Sequence, residues 1–331
     1  MAKISFWAKL PVIHQLRQSV GLQRGMLVTG LIVTGIFVIT AIFAPVLAPY
    51  GYAQLQDENG LFGAQVPPNP AHPWGTTAGG YDVLSRVIWG SQTAIEVIIV
   101  AVVFSVFIGI FLGLVSGYLG GGLDRFLVVI ADAVYAFPSL LLAIVAAIVI
   151  SGGQSSLWGG ILAAAISITA VFIPQYFRVT RAEVVRVKSE AFVESAKVIG
   201  ASTTRIMFRH VFRNSTRTLP LILTLNSSEA VLTLAALGFL GFGIEPTAAA
   251  EWGYDLNKAL SDVTAGIWWT SVFPGTAIVL VVLGVTLIGE SLNDLADPRL
   301  RARRRSKAVT PADAVAATEP TAGAEGVVDA L

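Results

Sequence analysis

The chain has 331 residues, of which 54% are hydrophobic and 13% charged, with a formal net charge of +1. Soluble domains carry about 25% charged residues, so the composition indicates a polytopic membrane protein, and its charge balance gives no reason to expect nucleic acid as a partner. The complete absence of cysteine excludes disulfides, iron–sulfur clusters and thiolate zinc sites.

Residues 1–25 form a basic, partly amphipathic lead-in expected to lie on the membrane surface. Crossing a hydrocarbon core of about 30 Å takes roughly 20 helical residues, and apolar runs of that length occur near 26–50, 94–118, 127–150, 157–178, 217–243 and 266–291. The first is too long for a signal-peptide core of about 7–15 residues and is read as a retained span. Residues 51–93 make a Gly/Pro-rich outer loop in which "VPPNPAHPWGTTAGGYDVLSR" forbids a continuous helix until about Tyr81. In span 2, Gly109, Gly113 and Gly117 recur every four residues. Small residues at that spacing let helix backbones approach closely in lipid, either within the chain or against a second subunit.

Between spans 4 and 5, residues 181–215 are too many for a turn. From Arg181 to Val198 the pattern is helical, with Val185, Phe192, Ala196 and Ile199 near one side and Arg186, Glu190, Glu194 and Lys197 spaced for charged pairs. Gly200 stops this helix, since glycine accepts the left-handed conformation that ends helices. Ser202 can cap a second helix running through Ile206 and Phe208 toward span 5. The segment is thus an elbow below the membrane, whose apolar face either rests on lipid headgroups or fits a partner's groove. In the second outer loop, 245–267, Trp252, Leu256, Leu260 and Val263 predict one apolar helical face, suited to the bilayer surface or to docking an outside partner. Residues 305–331 are rich in Ala, Pro, Thr and Glu and are expected to be disordered.

With these spans, all 22 lysines and arginines except Arg86 and Lys258 fall on one side. The positive-inside rule then predicts six spans with both termini cytoplasmic.

No G-x-x-x-x-G-K-[ST] loop is present, so the chain is not expected to bind ATP in that manner. His14, His72 and His210 fall on different sides of the predicted membrane, no Ser/His/Asp set shares a depth, and neither a metal site nor an enzyme is expected. Ionisable residues within spans are functional candidates. Of Glu96, Asp132, Glu229 and Glu290, Asp132 and Glu290 lie near the cytoplasmic surface, whereas Glu229 is deep and follows Asn226 and Ser228. It either lines a polar translocation path with them or hydrogen-bonds to a neighbouring helix.

The elbow segment "EAFVESAKVIGASTTRIMFRH" resembles the EAA loop of ATP-binding-cassette (ABC) importer permeases, with Glu194, Ser195 and Ala196 in the place of Glu-Ala-Ala and Gly200 as its glycine. "HPWGTTAGGYDVLSRVIWG", "AFPSLLLAIV", "LGFLGFGIEP", "EWGYDLNKAL" and "ESLNDLADPRLR" are similar to the C-type permease subunit of the dipeptide, oligopeptide and nickel branch, in that family's order. The likeness covers about residues 25–304. It implies an all-α type I importer permease fold, with six transmembrane helices over residues 26–304 and a cytoplasmic coupling helix between spans 4 and 5. Glu190, Glu194, Ser195, Ala196, Gly200 and Ala201 would belong to the coupling loop. The implied partners are a second, homologous permease, two ATP-binding domains on separate or fused chains, and an extracytoplasmic solute-binding protein, in the membrane of a bacterial cell. This chain would hold no cofactor, with ATP and Mg bound by the ATPase partners. The implied cargo is short peptides, with nickel or another small solute as the alternative.

The chain departs from the family pattern at Thr77 and Tyr81, where an aspartate and an arginine are usual, at Phe212 and Arg213, where leucine-proline is usual, and at Leu234, where a glutamate is common. An autonomous channel or secondary transporter using Glu229 and Glu96, or a scaffold whose elbow binds a regulator, are the competing readings.

Overall fold

A computed structural model of the chain describes residues 22–151, 157–216 and 219–296. The first part of the basic lead-in, the 305–331 tail and the end of "ESLNDLADPRLR" lie outside the described residues.

Helix α1, Leu22–Ile42, is followed by a short α2, Ala44–Leu47, and a small hairpin, β1 (Gln56–Asp57) with antiparallel β2 (Gly60–Leu61). Helix α3 then runs from Val83 to Leu119, capped by Asp82, whose carboxylate accepts from the Ser85 amide. At 37 residues and 1.5 Å per residue it is about 55 Å long, well beyond the hydrocarbon thickness. Its first turns, from Val83, precede the apolar run predicted from 94.

Helix α4 is Gly121–Tyr135 and α5 is Ser139–Ser151, and they meet at 97°. The expected continuous third span over 127–150 is therefore broken. The break falls at Ala136–Pro138, because proline lacks the amide a helix needs and turns the preceding residue away from helical angles. Among the described residues five helices are long and apolar enough to span a membrane, or six if this bent pair is one span.

Helix α6, Leu157–Lys188, does not stop at the membrane surface near 178 but continues, at about 48 Å, into the elbow. There α7 (Ala191–Val198), α8 (Thr203–Arg205), a π-helical turn (Ile206–Val211) and α9 (Phe212–Ser215) follow in close order. Helix α10, Leu219–Phe239, returns through the membrane. The loop 245–267 carries α11 (Trp252–Lys258) and α12 (Leu260–Thr264), and α13 (Trp269–Ala296) closes the described chain.

The most extensive helix pairing is α3 with α6. The glycine stripe makes it possible: a methyl at Gly109 would stand 2.5 Å from Tyr176 Cβ, one at Gly113 2.7 Å from the Phe177 carbonyl, and one at Gly117 2.9 Å from Val184 Cγ1. The stripe is thus filled from within the chain rather than by a second subunit. A second close crossing, between α1 and α13, relies on Gly30 and Gly284. These two lie far apart in sequence and have no partner at four-residue spacing to signal them. The main core draws Val97 and Ala101 from α3, Ile168, Phe172 and Tyr176 from α6, Val231 and Leu234 from α10, and Ile278 and Val281 from α13. Outward from it, Ile32, Ile36, Phe104, Phe107, Phe111, Leu141 and Val145 are exposed, as expected of surface that faces lipid.

Candidate functional site

The elbow is built on a small core of its own. Leu114 and Tyr118 from the end of α3, Val184 and Val187 from the end of α6, Val193 and Ala196 from α7, and Ile206 and Val211 beyond the corner are buried together. Arg181 grips Asp124 on α4 through two hydrogen bonds of 2.6 and 2.7 Å, and the Ser116 hydroxyl donates to the same carboxylate. The elbow is therefore tied to three helices of the bundle, so that displacing it must displace them.

The helix predicted over 181–198 is two helices, broken at Ser189–Glu190. The Glu190 amide bonds back to the Val187 carbonyl, and Glu190 becomes the N-cap residue of α7. This break rotates α7, so Val185, Phe192, Ala196 and Ile199 do not form one face. Ala196 and Val193 turn inward, while Val198 and Ile199 are 89% and 84% exposed and Phe192 is exposed beside them. Sequence reasoning missed Val193 and Val198, because a helix wheel drawn through the break assigns them the wrong sides.

Of the predicted coupling residues, Glu190, Glu194, Ser195 and Gly200 are exposed, Ala201 is half-buried and Ala196 is buried. Arg186 pairs with Glu183 at 2.7 Å and reaches Glu190 at 4.0 Å. Glu194 and Lys197 make no ion pair among the described residues. Gly200 has φ +78°, and the amides of Gly200 and Ala201 bond to the carbonyls of Lys197 and Ala196 at 2.9 and 3.0 Å. This is the paired hydrogen-bond pattern of a glycine-terminated helix. Ser202 accepts from the Arg205 amide and starts the second arm as expected. With Phe212 and Arg213 in place of leucine-proline, that arm continues through a π turn into α9.

Within the bundle, Glu229 is exposed and opens onto a cleft of about 260 Å³ lined by Tyr135, Phe137, Ser139, Phe172 and Gln175 among others. The cleft exists because α4 and α5 splay apart at Pro138. On its margin Arg178 pairs with Asp132 at 2.6 Å and stacks on Tyr135. The other two pathway candidates do not share this cleft. The Ser228 hydroxyl receives a hydrogen bond from Thr286 on α13 at 3.1 Å. Asn226 is buried in the core beside Tyr176. Residues 226, 228 and 229 span about 160° of the helix circumference, and in the structure only Glu229 lines this cleft.

The end of the bundle opposite the elbow is held by polar groups that the loop motifs supply. His72 Nδ1 lies 2.9 Å from Asp82, and Arg86 Nε donates to both carboxylate oxygens of Asp255 at 2.7 and 2.8 Å. Trp252 packs on Gly90 and donates to the Val87 carbonyl. Glu251 is buried, caps α11 through the amides of Gly253 and Tyr254, and occupies space that side chains at Gly238 and Gly243 would fill. Burial pushes its carboxyl up to about 8. The predicted face of Trp252, Leu256, Leu260 and Val263 is divided at Ala259, between α11 and α12: Trp252 and Leu256 pack on the core, whereas Leu260 and Val263 point outward. At 77 and 81 the Thr77 amide donates to the Tyr81 carbonyl and the Tyr81 amide to the Thr77 hydroxyl.

Residues 109–302 match the family model of the binding-protein-dependent transport system inner membrane component. The chain belongs to this family. Residues 22–68 match the N-terminal transmembrane domain of oligopeptide transport permease C. The permease is 38% identical over 274 residues to the dipeptide transport system permease protein DppC of Alkalihalophilus pseudofirmus, covering 83% of this chain and 86% of that one. It is 36% identical over 286 residues to the glutathione transport system permease protein GsiD of Salmonella paratyphi A, covering 86% and 88%. The corresponding GsiD of Escherichia coli is 34% identical over 280 residues, covering 84% and 88%. A multi-pass membrane permease of the binding-protein-dependent class is a transport component, and this membership speaks against the autonomous-channel and scaffold readings.

Proposed function

We propose that this permease is one of two related membrane subunits of an ATP-driven importer of short peptides. The observation that carries the reading is the elbow: a rigid corner with its own core, tied to α3, α4 and α6, presenting Val198 and Ile199 almost fully exposed. Burying one such side chain is worth about 1.5–3 kcal/mol, which a groove on an ATPase subunit would recover. Closure of two ATPases would push the elbow, and α6 and α10 with it, so that the bundle opens alternately to either side. Glu229 faces the path through the cleft at the bent α4–α5 pair. The peptide cargo is supported by the dipeptide and glutathione permeases it is similar to, since glutathione is itself a tripeptide. Both termini and the elbow face the cytoplasm, and a solute-binding protein delivers cargo at the opposite end.

The test is purification of the tagged chain from its native membrane in mild detergent, with co-purifying chains identified by mass spectrometry. A second permease with ATPase subunits is the expected result, and Ile199→Asp should release the ATPases while keeping the permease pair. Recovery of the chain alone, with solute flux in liposomes that needs no ATP, would refute the proposal.

A further inference from the structure

Helix α3 is apolar over most of its length, yet Trp89, Gln92 and Glu96 recur on it at three- and four-residue spacing. That spacing puts them on one face of the helix. They line a cleft of about 200 Å³ that is also bounded by Tyr52 and the run of alanines at 248–250. The alanines keep the space open, since each contributes a single methyl group.

Glu96 lies inside the apolar run that begins near 94, where a carboxylate is costly and is retained when a counter-charge meets it. The other carboxylates that arginines reach in the bundle are matched within the chain: Asp255 by Arg86, Asp132 by Arg178 and Asp124 by Arg181. Glu96 has no hydrogen-bond or ion-pair partner among the described residues, and neither has Gln92. Both are half-buried, as are Trp89 and Tyr52, so all four remain within reach of a molecule entering the cleft.

The aromatic walls are a second, independent sign. The Tyr52 and Trp89 rings stand 5.7 Å apart at 74° and form a corner. The Trp89 indole N–H donates to the Tyr50 carbonyl at 3.0 Å, which holds that ring in place. Aromatic faces attract cations, tryptophan most strongly, and a free carboxylate in the same cleft adds to that attraction while repelling anions. No three metal-ligating side chains come together among the described residues, so the cleft is not built for a metal ion. The Gln92 carboxamide supplies a further acceptor oxygen, which suits a cation that keeps its N–H groups; a primary ammonium has three. At about 200 Å³ the cleft is smaller than the roughly 300–1,000 Å³ of whole-ligand sites, and so fits the head of a ligand whose remainder lies outside.

We propose that this cleft binds a primary ammonium group, with Glu96 as counter-charge, Gln92 as acceptor and the Tyr52 and Trp89 rings as walls. Two molecules can bring that group to the edge of the apolar region: a peptide with a free amino terminus, and a phospholipid with an ethanolamine headgroup. The first source rests on the peptide reading proposed above; the second does not.

The test uses the purified transporter complex. In nanodiscs of phosphatidylcholine it is titrated calorimetrically with alanyl-alanine and with the N-acetyl derivative. In a second arm it is reconstituted in mixed phosphatidylethanolamine and phosphatidylcholine, and the lipids it retains are identified by native mass spectrometry. A peptide source predicts that the free dipeptide binds at least about tenfold more tightly than the acetylated one. A lipid source predicts preferential retention of phosphatidylethanolamine. In either case Glu96→Gln, which keeps the side-chain shape and has no partner to lose, should remove the preference without changing the melting temperature of the ligand-free complex. Tyr52→Leu should weaken it by about threefold or more. If neither arm shows a preference, or if Glu96→Gln leaves the preference intact, the proposal is overturned. Dipeptide import by the whole transporter with its binding protein separates the two levels: import without any preference that depends on Glu96 sinks the cleft alone, whereas retained phosphatidylethanolamine without import sinks the peptide reading alone.

Discussion

Gly200 turns the elbow at φ +78° with nothing within 4 Å of the position where a side chain would begin. Gly200→Val therefore meets no clash, and its cost is conformational. A left-handed residue with a Cβ costs roughly 1–2 kcal/mol, and a β-branched residue is a genuine outlier there. The corner cannot relax freely, because the Gly200 and Ala201 amides are both committed to carbonyls of α7. Valine must either hold the strain or break those bonds and re-aim Val198 and Ile199. Since 1.4 kcal/mol is tenfold in an equilibrium, the population of correctly aimed elbows should fall by about tenfold. In proteoliposomes containing the whole transporter, ATPase stimulation by the loaded binding protein and peptide import should both drop by that factor at normal membrane insertion. Gly200→Asn, which visits the left-handed region more readily, should stay near wild type. Full stimulation in the valine variant, or equal impairment of the asparagine variant, would refute the reasoning.

Gly113→Ala places a methyl 2.7 Å from the Phe177 carbonyl, whereas Gly35→Ala meets nothing within 4 Å. Overpacking should cost the first variant about 1–3 kcal/mol and lower the melting temperature of the detergent-solubilised complex, while the second should be neutral or slightly stabilising. Glu251, with its folded-state carboxyl near 8 against an ordinary 4.5, keeps a proton that the unfolded chain releases. Stability should therefore fall as pH rises from about 4.5 to about 8 and then level, and Glu251→Gln should flatten a thermal-melt series over that window. Glu229→Gln should slow import without changing subunit assembly, and unaltered uptake at every peptide concentration would remove Glu229 from the path.

Much of this architecture is legible from periodicity and composition. Apolar run length specifies spans because the bilayer leaves a helix no other way to satisfy its backbone. The Ser202 cap, the Gly200 corner and the Gly109–Gly113–Gly117 stripe are local signals whose meaning depends on a few adjacent residues. A helical pattern stays in phase only while the helix is unbroken. The break at Ser189–Glu190 shifts the face that follows it, so a wheel drawn across it passes over Val193, whereas Asn226 and Ser228 share one unbroken helix with Glu229 and differ from it only by their angle around that helix.

The sequence by itself determined that the chain is a multi-span helical membrane protein with a capped, glycine-turned elbow, since hydrophobic length, capping and positive φ are properties of short segments. Only the tertiary structure decided that the glycine stripe is filled by α6, that Gly30 meets Gly284, that Arg86 is matched by Asp255, and that Glu229 opens on a cleft. Each of these joins residues separated by tens to hundreds of positions. Their meeting is set by how long helices cross, a matter of summed packing over many side chains that no local pattern encodes.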